Sequence, residues 1–440
     1  MRDLLFIVVF PFLVFATLKR PFIGVAMWVW VAMHFPNGWM YSFGSGIRYN
    51  FIIVIATVIS YLILKNKPKV EWDLLTSLIF MFLVWTAITS AFTISYPFLV
   101  WPEWIEFLKI SLCYFFAIFI LKSKLHINTL IWALVFSIGF YGCLEGLKYI
   151  VSGGAHRIHG LPGHVLGDRN ELALAFNMVL PLLVYLIAVS KNKLIKTGLK
   201  CAIVLVVIAI FGTFSRGGLV ALFAVGGYFW LQSNRKILYA ILFFVGFSAS
   251  TSFLPSEWHD RMDTIETAQE DSSFLGRILA WKQAVLMAND NPITGGGFKA
   301  GQVNIIWFKY PAADSFNNLI DTSHLSEIGF KAAHSIYFQV LGDHGYIGFL
   351  IFMGILITSF FKAGRLVKRA KEMKMDSSTI QLCSLLRVSL IAYCAGGAGV
   401  SLAYFDALYA ILAIIYVLDH RIVKQKSTVT SSDAVVDQHA

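Results

Sequence analysis

The chain has 440 residues, of which 58% are hydrophobic and only 14% charged. An average soluble domain is about a quarter charged, so this composition excludes one. The net charge of +11 would suit a nucleic-acid binder, but the basic residues are dispersed among alternate connections, and nucleic acid is not an expected partner.

Hydrophobic windows long enough to cross, or nearly cross, a bilayer as helices recur along nearly the whole chain. They lack the two-residue alternation of a membrane barrel. The expected fold class is all-α, a polytopic integral membrane protein embedded among membrane lipids. In order, spans are expected over roughly 4–18, 21–36, 51–64, 74–92, 107–121, 128–151, 171–190, 199–213, 218–231, 237–254, 334–361, 380–399 and 402–418. That gives about 12 or 13 crossings, with residues 1–36 crossing once or twice. The first stretch ends at Lys19-Arg20-Pro21 without a small-residue cleavage site and reads as a retained span. Residues 1–424 read as one membrane domain, and 425–440 as a disordered cytoplasmic tail.

Lys and Arg cluster at Lys19-Arg20, Lys65 to Lys69, Lys122 and Lys124, Lys191 to Lys200, Arg235-Lys236, Lys362 to Lys374 and Arg421 to Lys426. By the positive-inside pattern these connections are cytoplasmic. The loops at 37–50, 93–106, 152–170, 214–217 and 255–333 are then extracytoplasmic. All five cysteines fall inside spans, so no disulfide framework is implied.

The long outer loop, 255–333, carries a short amphipathic helix. Ser272-Ser273 caps a run from Phe274 to Ala288, which Asn289-Asp-Asn-Pro292 ends. Phe274, Ile278, Trp281 and Val285 share a face with Arg277. Arg277 is therefore either a snorkelling residue at the headgroup boundary or an anion-binding residue at a pocket mouth. Arg216, in the short outer turn Thr213-Phe-Ser-Arg-Gly-Gly218, carries the same two readings, an interfacial anchor or a charge placed for a ligand. His334 stands at the outer end of a span. Continued as a helix, His334, Tyr337, Leu341, Gly345 and Gly348 form one stripe whose glycines permit close packing. Histidine is either a structural residue there or a proton acceptor near neutral pH.

Among buried charges, Asp343 is expected to pair with Arg387, and Glu145 with Lys148 within one helix. Asp406 is a candidate for the crevice that holds His334. In Gly167-Asp-Arg-Asn-Glu171, Asp168 or Asn170 either caps the next helix or binds a polar substrate. No outer loop holds a His/Cys/Asp cluster with metal-ligand spacing, and no nucleotide or haem motif occurs, so neither metal nor cofactor is expected.

These residues resemble the O-antigen ligase and O-antigen polymerase superfamily. His334-Ser335 with Gly345 and Gly348, Arg216 in Ser-Arg-Gly, and Arg277 upstream of Trp281 and Gly295-Gly-Gly-Phe298 follow that pattern in order. Lys19-Arg-Pro-Phe-Ile-Gly24, Asp168-Arg-Asn-Glu-Leu-Ala-Leu-Ala175, Glu257-Trp with Arg261-Met, and His334-Ser-Ile-Tyr-Phe338 are similar to the O-glycosylation ligases that accompany exosortase systems. Arg169 departs from that pattern, where a smaller amide residue is expected.

The resemblance implies a metal-independent, inverting glycosyltransferase of the bacterial inner membrane with its site facing the periplasm. It would move an oligosaccharide or polysaccharide from a polyprenyl-diphosphate carrier to a hydroxyl on an acceptor lipid, protein or glycan. Arg216 and Arg277 would hold the diphosphate and His334 would act on the acceptor. Asp168, Asn170, Tyr337, Trp281 and Asp406 are the substrate-binding candidates. A glycan polymerase with the same chemistry is the near alternative. A transporter or flippase of lipid-linked glycan is the distant one, favoured by Asp343, His344 and Arg387 within a span.

Overall fold

The computed structural model describes residues 2–41, 43–237 and 272–424, and within them the chain is helical without a strand. Every expected span inside those limits forms a helix. They are α1 (Arg2–Lys19), α2 (Pro21–His34), α3 (Tyr49–Ile63), α4 (Leu74–Ala91), α5 (Pro97–Ile120), α6 (Lys124–Val151), α7 (Arg169–Val189), α8 (Lys193–Gly212) and α9 (Arg216–Gln232). After the outer-loop helix α10 (Ser272–Asp290) come α11 (Ile336–Glu372), α12 (Ser377–Gly397) and α13 (Asp406–Val417). The expected span over 238–254, the adjoining loop to 271 and the tail at 425–440 lie outside the described residues.

Six helices, α4, α6, α7, α8, α11 and α12, are each long and apolar enough to cross a membrane, and α2 and α3 are shorter apolar helices, as is Phe6–Lys19 within α1. The chain is a multi-pass membrane protein. Side-chain caps fix where many helices begin. Asp73, Ser123, Asp168, Asn192, Ser215 and Asp376 each accept a backbone N–H from the first turn that follows. Pro21 and Pro97 open α2 and α5, where the missing N–H costs nothing. Pro97 also starts α5 about ten residues before the expected boundary at 107, so most of the expected 93–106 loop is helix.

Residues 1–36 fold as two helices broken at Pro21. Asp3, near the start of α1, lies beside the turn after α2 and accepts from the Tyr41 N–H at 3.4 Å. Thus α1 and α2 run antiparallel. At the heart of the bundle, α12 packs against α7, α9 and α11, while α4 and α10 pack on other parts of α11.

The basic connections gather at one end of the bundle. Lys362 bonds Asp73 and lies 2.9 Å from Asp419, Arg369 lies 3.2 Å from Asp419, and Lys124 reaches Asp376. Burial opposes the charged form of Asp73, but its bonds from His420 and Lys362 prevail and hold its carboxyl well below the usual range. The turns at 93–95, 168 and 399–401, together with His334, meet at the other end, which is the sidedness that the charge pattern implies.

α11 departs most from expectation. Gly345 has φ +66°, so the helix breaks there and the stripe from His334 to Gly348 is not continuous. A break inside a membrane frees backbone groups that must find partners. The outer loop supplies them. Gly296 N–H donates to Gly342 O at 2.9 Å, Gly297 N–H to Asp343 O at 2.8 Å, and Tyr346 N–H to Pro292 O at 2.9 Å. Trp85 of α4 donates to His344 O at 3.2 Å. The two segments touch so closely that a Cβ on Gly345 would stand 2.7 Å from the carbonyl oxygens of Pro292 and Ile293. Gly348 does act as a packing glycine, closed over by Trp85.

Gly345→Ala adds that clash to an unfavourable φ and should destabilise the protein by about 1–3 kcal/mol, read as a lower melting temperature in detergent. Gly354 in the same helix meets only Leu78, at ordinary contact distance, so Gly354→Ala should leave melting unchanged or raise it. Equal loss in both variants would contradict the account of the break.

Candidate active site at the outer end of the bundle

The outer-loop helix α10 has two working faces. Leu275 and Leu279 pack with Trp307, Ala312, Ala313 and Leu325 into a small core belonging to the loop itself. Lys282 is buried behind them and donates to Asn317 Oδ1, Ile320 O and Thr322 Oγ1 at 2.7–2.8 Å, tying the 317–322 segment to the helix. Trp281 points the other way. Its Nε1 donates to Ala333 O at 2.6 Å, and its ring stacks on Phe338 of α11 at 4.9 Å. This contact fixes the rotation of α10 about its axis. Arg277, one turn earlier on that face, is thereby delivered to the bundle.

The guanidinium of Arg277 reaches the turn after α12, within 3.7 Å of where a Gly399 Cβ would stand. Gly217 approaches the same turn, with Gly396 O and the Gly399 Cα 3.8–3.9 Å from its own would-be Cβ. Arg216 is the first residue of α9, entered through Phe214 at φ +52° and the Ser215 cap. The Arg277 side chain and the first turn of α9, which Arg216 opens, therefore flank one glycine-rich turn. The N–H groups of such a first turn favour anions.

His334 precedes α11 rather than riding on it. Its backbone is left-handed, φ +42°, and its N–H donates to Ser401 Oγ at 2.9 Å. A non-glycine residue held there is strained, and such strain clusters at functional sites. The ring is half-buried, and Nδ1 has no hydrogen-bond partner. Burial and the charges of Arg277 and Lys331 hold its pKa below the usual imidazole value, against the opposing charge of Asp168. That set of influences places Arg277, Lys331 and Asp168 around His334.

The other candidates divide. Asp168 is the N-cap of α7 and accepts from the backbone N–H and side-chain Nδ2 of Asn170, so both residues are engaged locally while Asp168 still bears on His334. The Tyr337 hydroxyl donates to Cys394 O at 2.9 Å and ties α11 to α12. Asp406 stands apart, with Glu106 and Cys113 of α5 as the ionisable groups in its surroundings. The expected Asp343–Arg387 pair does not form. Asp343 accepts from Lys299 N–H at 2.9 Å and Tyr404 Oη–H at 3.1 Å, while the Arg387 guanidinium lies over the Phe360 ring at 4.2 Å. Burial is relieved here by the loop backbone and a tyrosine, not by a charge. Glu145 does bond Lys148 at 2.7 Å, as expected, and its second oxygen meets His156.

Lys331, Gly399 and Ser401 belong to this site without having been singled out from sequence. The one available signal was the small-residue run Gly396-Gly-Ala-Gly-Val-Ser401. Among the described residues, Asp73, Asp419 and His420 are the grouping that could hold a metal ion, but they lie at the opposite end, where Lys362 already contacts the carboxylates.

Arg216, Arg277 and His334 come from three separate elements of the chain. Residues 201–353 match the family model described as O-Antigen ligase. The matched segment contains all three of them. The O-antigen ligase match supports a membrane glycan ligase or polymerase activity with a lipid-linked glycan donor. Residues 1–191, which include Asp168 and Asn170, match a family of unknown function (DUF5935). No curated protein matches the chain.

Ser401→Ala removes the acceptor for the strained His334 N–H. Hydrogen exchange at His334 should then quicken about tenfold, the worth of one net hydrogen bond, with little change in melting temperature. Unchanged exchange would mean that the bond does not hold the histidine.

Proposed function

We propose that the protein is a glycosyltransferase of the bacterial inner membrane, working on the periplasmic face. It moves an oligosaccharide or polysaccharide from a polyprenyl-diphosphate carrier to an acceptor hydroxyl. The observation that carries this reading is that the Arg277 guanidinium, which bears on His334, and the first turn of α9, which Arg216 opens, both meet the Gly396–Gly399 turn.

Two guanidiniums and a helix N-terminus suit a diphosphate, whose negative charge grows as it leaves. His334 takes the proton of the acceptor hydroxyl as its oxygen attacks the anomeric carbon. The bond from that carbon to the diphosphate oxygen breaks, and the carrier diphosphate departs with the electron pair. In-line displacement inverts the anomeric centre. The diphosphate is a stable leaving group, so no general acid is required. The acceptor hydroxyl belongs to a lipid, a protein or a glycan.

The test is release of polyprenyl diphosphate by protein in nanodiscs, with a lipid-linked oligosaccharide, candidate acceptors and chelator. Release should require acceptor and survive chelation, and fall about 10²–10⁴-fold in Arg216→Ala, Arg277→Ala and His334→Ala. Wild type that releases nothing with any acceptor, while vesicles carry the intact donor across the bilayer, would replace this reading with a transporter.

The pH profile tests the histidine separately. Because its pKa is held below 6.5, the proton-accepting form persists under that pH. The acid limb of kcat/KM should therefore lie below the pH at which an ordinary imidazole titrates. Removing a like charge raises an imidazole pKa, so Lys331→Met should move that acid limb to higher pH. An unmoved limb would contradict the placement of Lys331.

A further inference from the structure

Between α10 and α11, a short way past His334, lies a cavity of about 30 Å³. That is room for about two water-sized groups. Gln283 lines it and is 3% exposed, and its Nε2 has no hydrogen-bond partner. A buried amide donor left in this way costs free energy until an acceptor reaches it. Gly301 makes space for the amide, since a Cβ there would stand 2.6 Å from Gln283 Oε1. Ala280 and Ala284 of the same helix and Phe338 of α11 add apolar lining. Lys331 stands exposed at the rim, where the cavity meets the surroundings of His334. Gln283 is six residues beyond Arg277, about 9 Å along the helix.

The lining selects a ligand chemistry. It offers a buried N–H donor beside methyl-sized apolar surface. Asp343 also lines the cavity, with both oxygens already bonded to Lys299 N–H and Tyr404. A carboxylate would bring a buried charge that one amide N–H does not satisfy, and a plain hydroxyl would leave the apolar lining empty. A neutral acetyl group satisfies both sides, with its oxygen on Gln283 Nε2 and its methyl against Ala280, Ala284 and Phe338. We propose that this cavity is the subsite for the acetamido group of an N-acetylated sugar in the glycan. The inference rests on the glycan-transfer reading above and assigns it a substrate class.

Binding tests this without turnover. Purified protein in detergent is titrated calorimetrically with three disaccharides: N,N′-diacetylchitobiose, cellobiose and a carboxylate-bearing disaccharide. The diacetyl sugar should bind about tenfold tighter than the other two, the worth of one hydrogen bond and a buried methyl. Gln283→Leu should abolish the difference. Gly301→Ala, which displaces the amide while leaving it present, should do the same and serves if Gln283→Leu does not fold. Equal binding of all three sugars would overturn the proposal and leave the cavity as the seat of structural water only. So would a preference for the carboxylate, or one that survives both variants. Preference for the acetylated sugar without any carrier release would support the subsite and count against the transfer reaction.

Discussion

The outer site depends on a break in α11 filled by another part of the chain. At Gly345 the helix gives up its own hydrogen bonds within the membrane bundle, where water cannot replace them. The Pro292–Gly297 segment completes the backbone of Gly342, Asp343 and Tyr346, and Lys299 N–H caps the Asp343 carboxylate. This contact anchors the outer loop to a spanning helix. It sets the end of α10, and Trp281 sets that helix's rotation. Arg277 therefore arrives opposite Gly399 through rigid elements at both ends, and not as a mobile loop residue.

The same arrangement explains how unlike charges coexist in the site. Cations from three elements, Arg216, Arg277 and Lys331, gather at one end of a bundle whose other basic residues lie chiefly at the opposite end. Like charges near one another repel unless an anion joins them. Asp168 is the acidic residue near His334, and it is already engaged as a helix cap. Burial, with the charges of Arg277 and Lys331, keeps His334 neutral and able to accept a proton.

Much of this was legible in the sequence because it is written in local periodicity. Spans, the existence of α10 and the Glu145–Lys148 bond all follow from spacing within one helix. The shared face of Trp281 and Arg277 also survived into the structure. What spacing cannot register is a partner distant along the chain. Gly345 read as a packing glycine because nothing near it announces the 292–297 segment that forces φ +66°. Asp343 was matched to a charge in a neighbouring span, whereas its partners are a backbone N–H and the Tyr404 hydroxyl. His334 was placed on a helical stripe, while its left-handed backbone is set by Ser401, many residues away. The helical geometry inferred for it is replaced by a left-handed approach to α11 held at Ser401.

The central claim is that one diphosphate lies between Arg216 and Arg277 with His334 across the anomeric carbon. An experimental structure with a non-hydrolysable polyprenyl-diphosphate glycan bound tests it most directly. The account predicts phosphate density contacting both guanidiniums and the first turn of α9, with the anomeric carbon towards His334. Phosphate bound elsewhere, or contacting one arginine while the other turns to lipid headgroups, would contradict it.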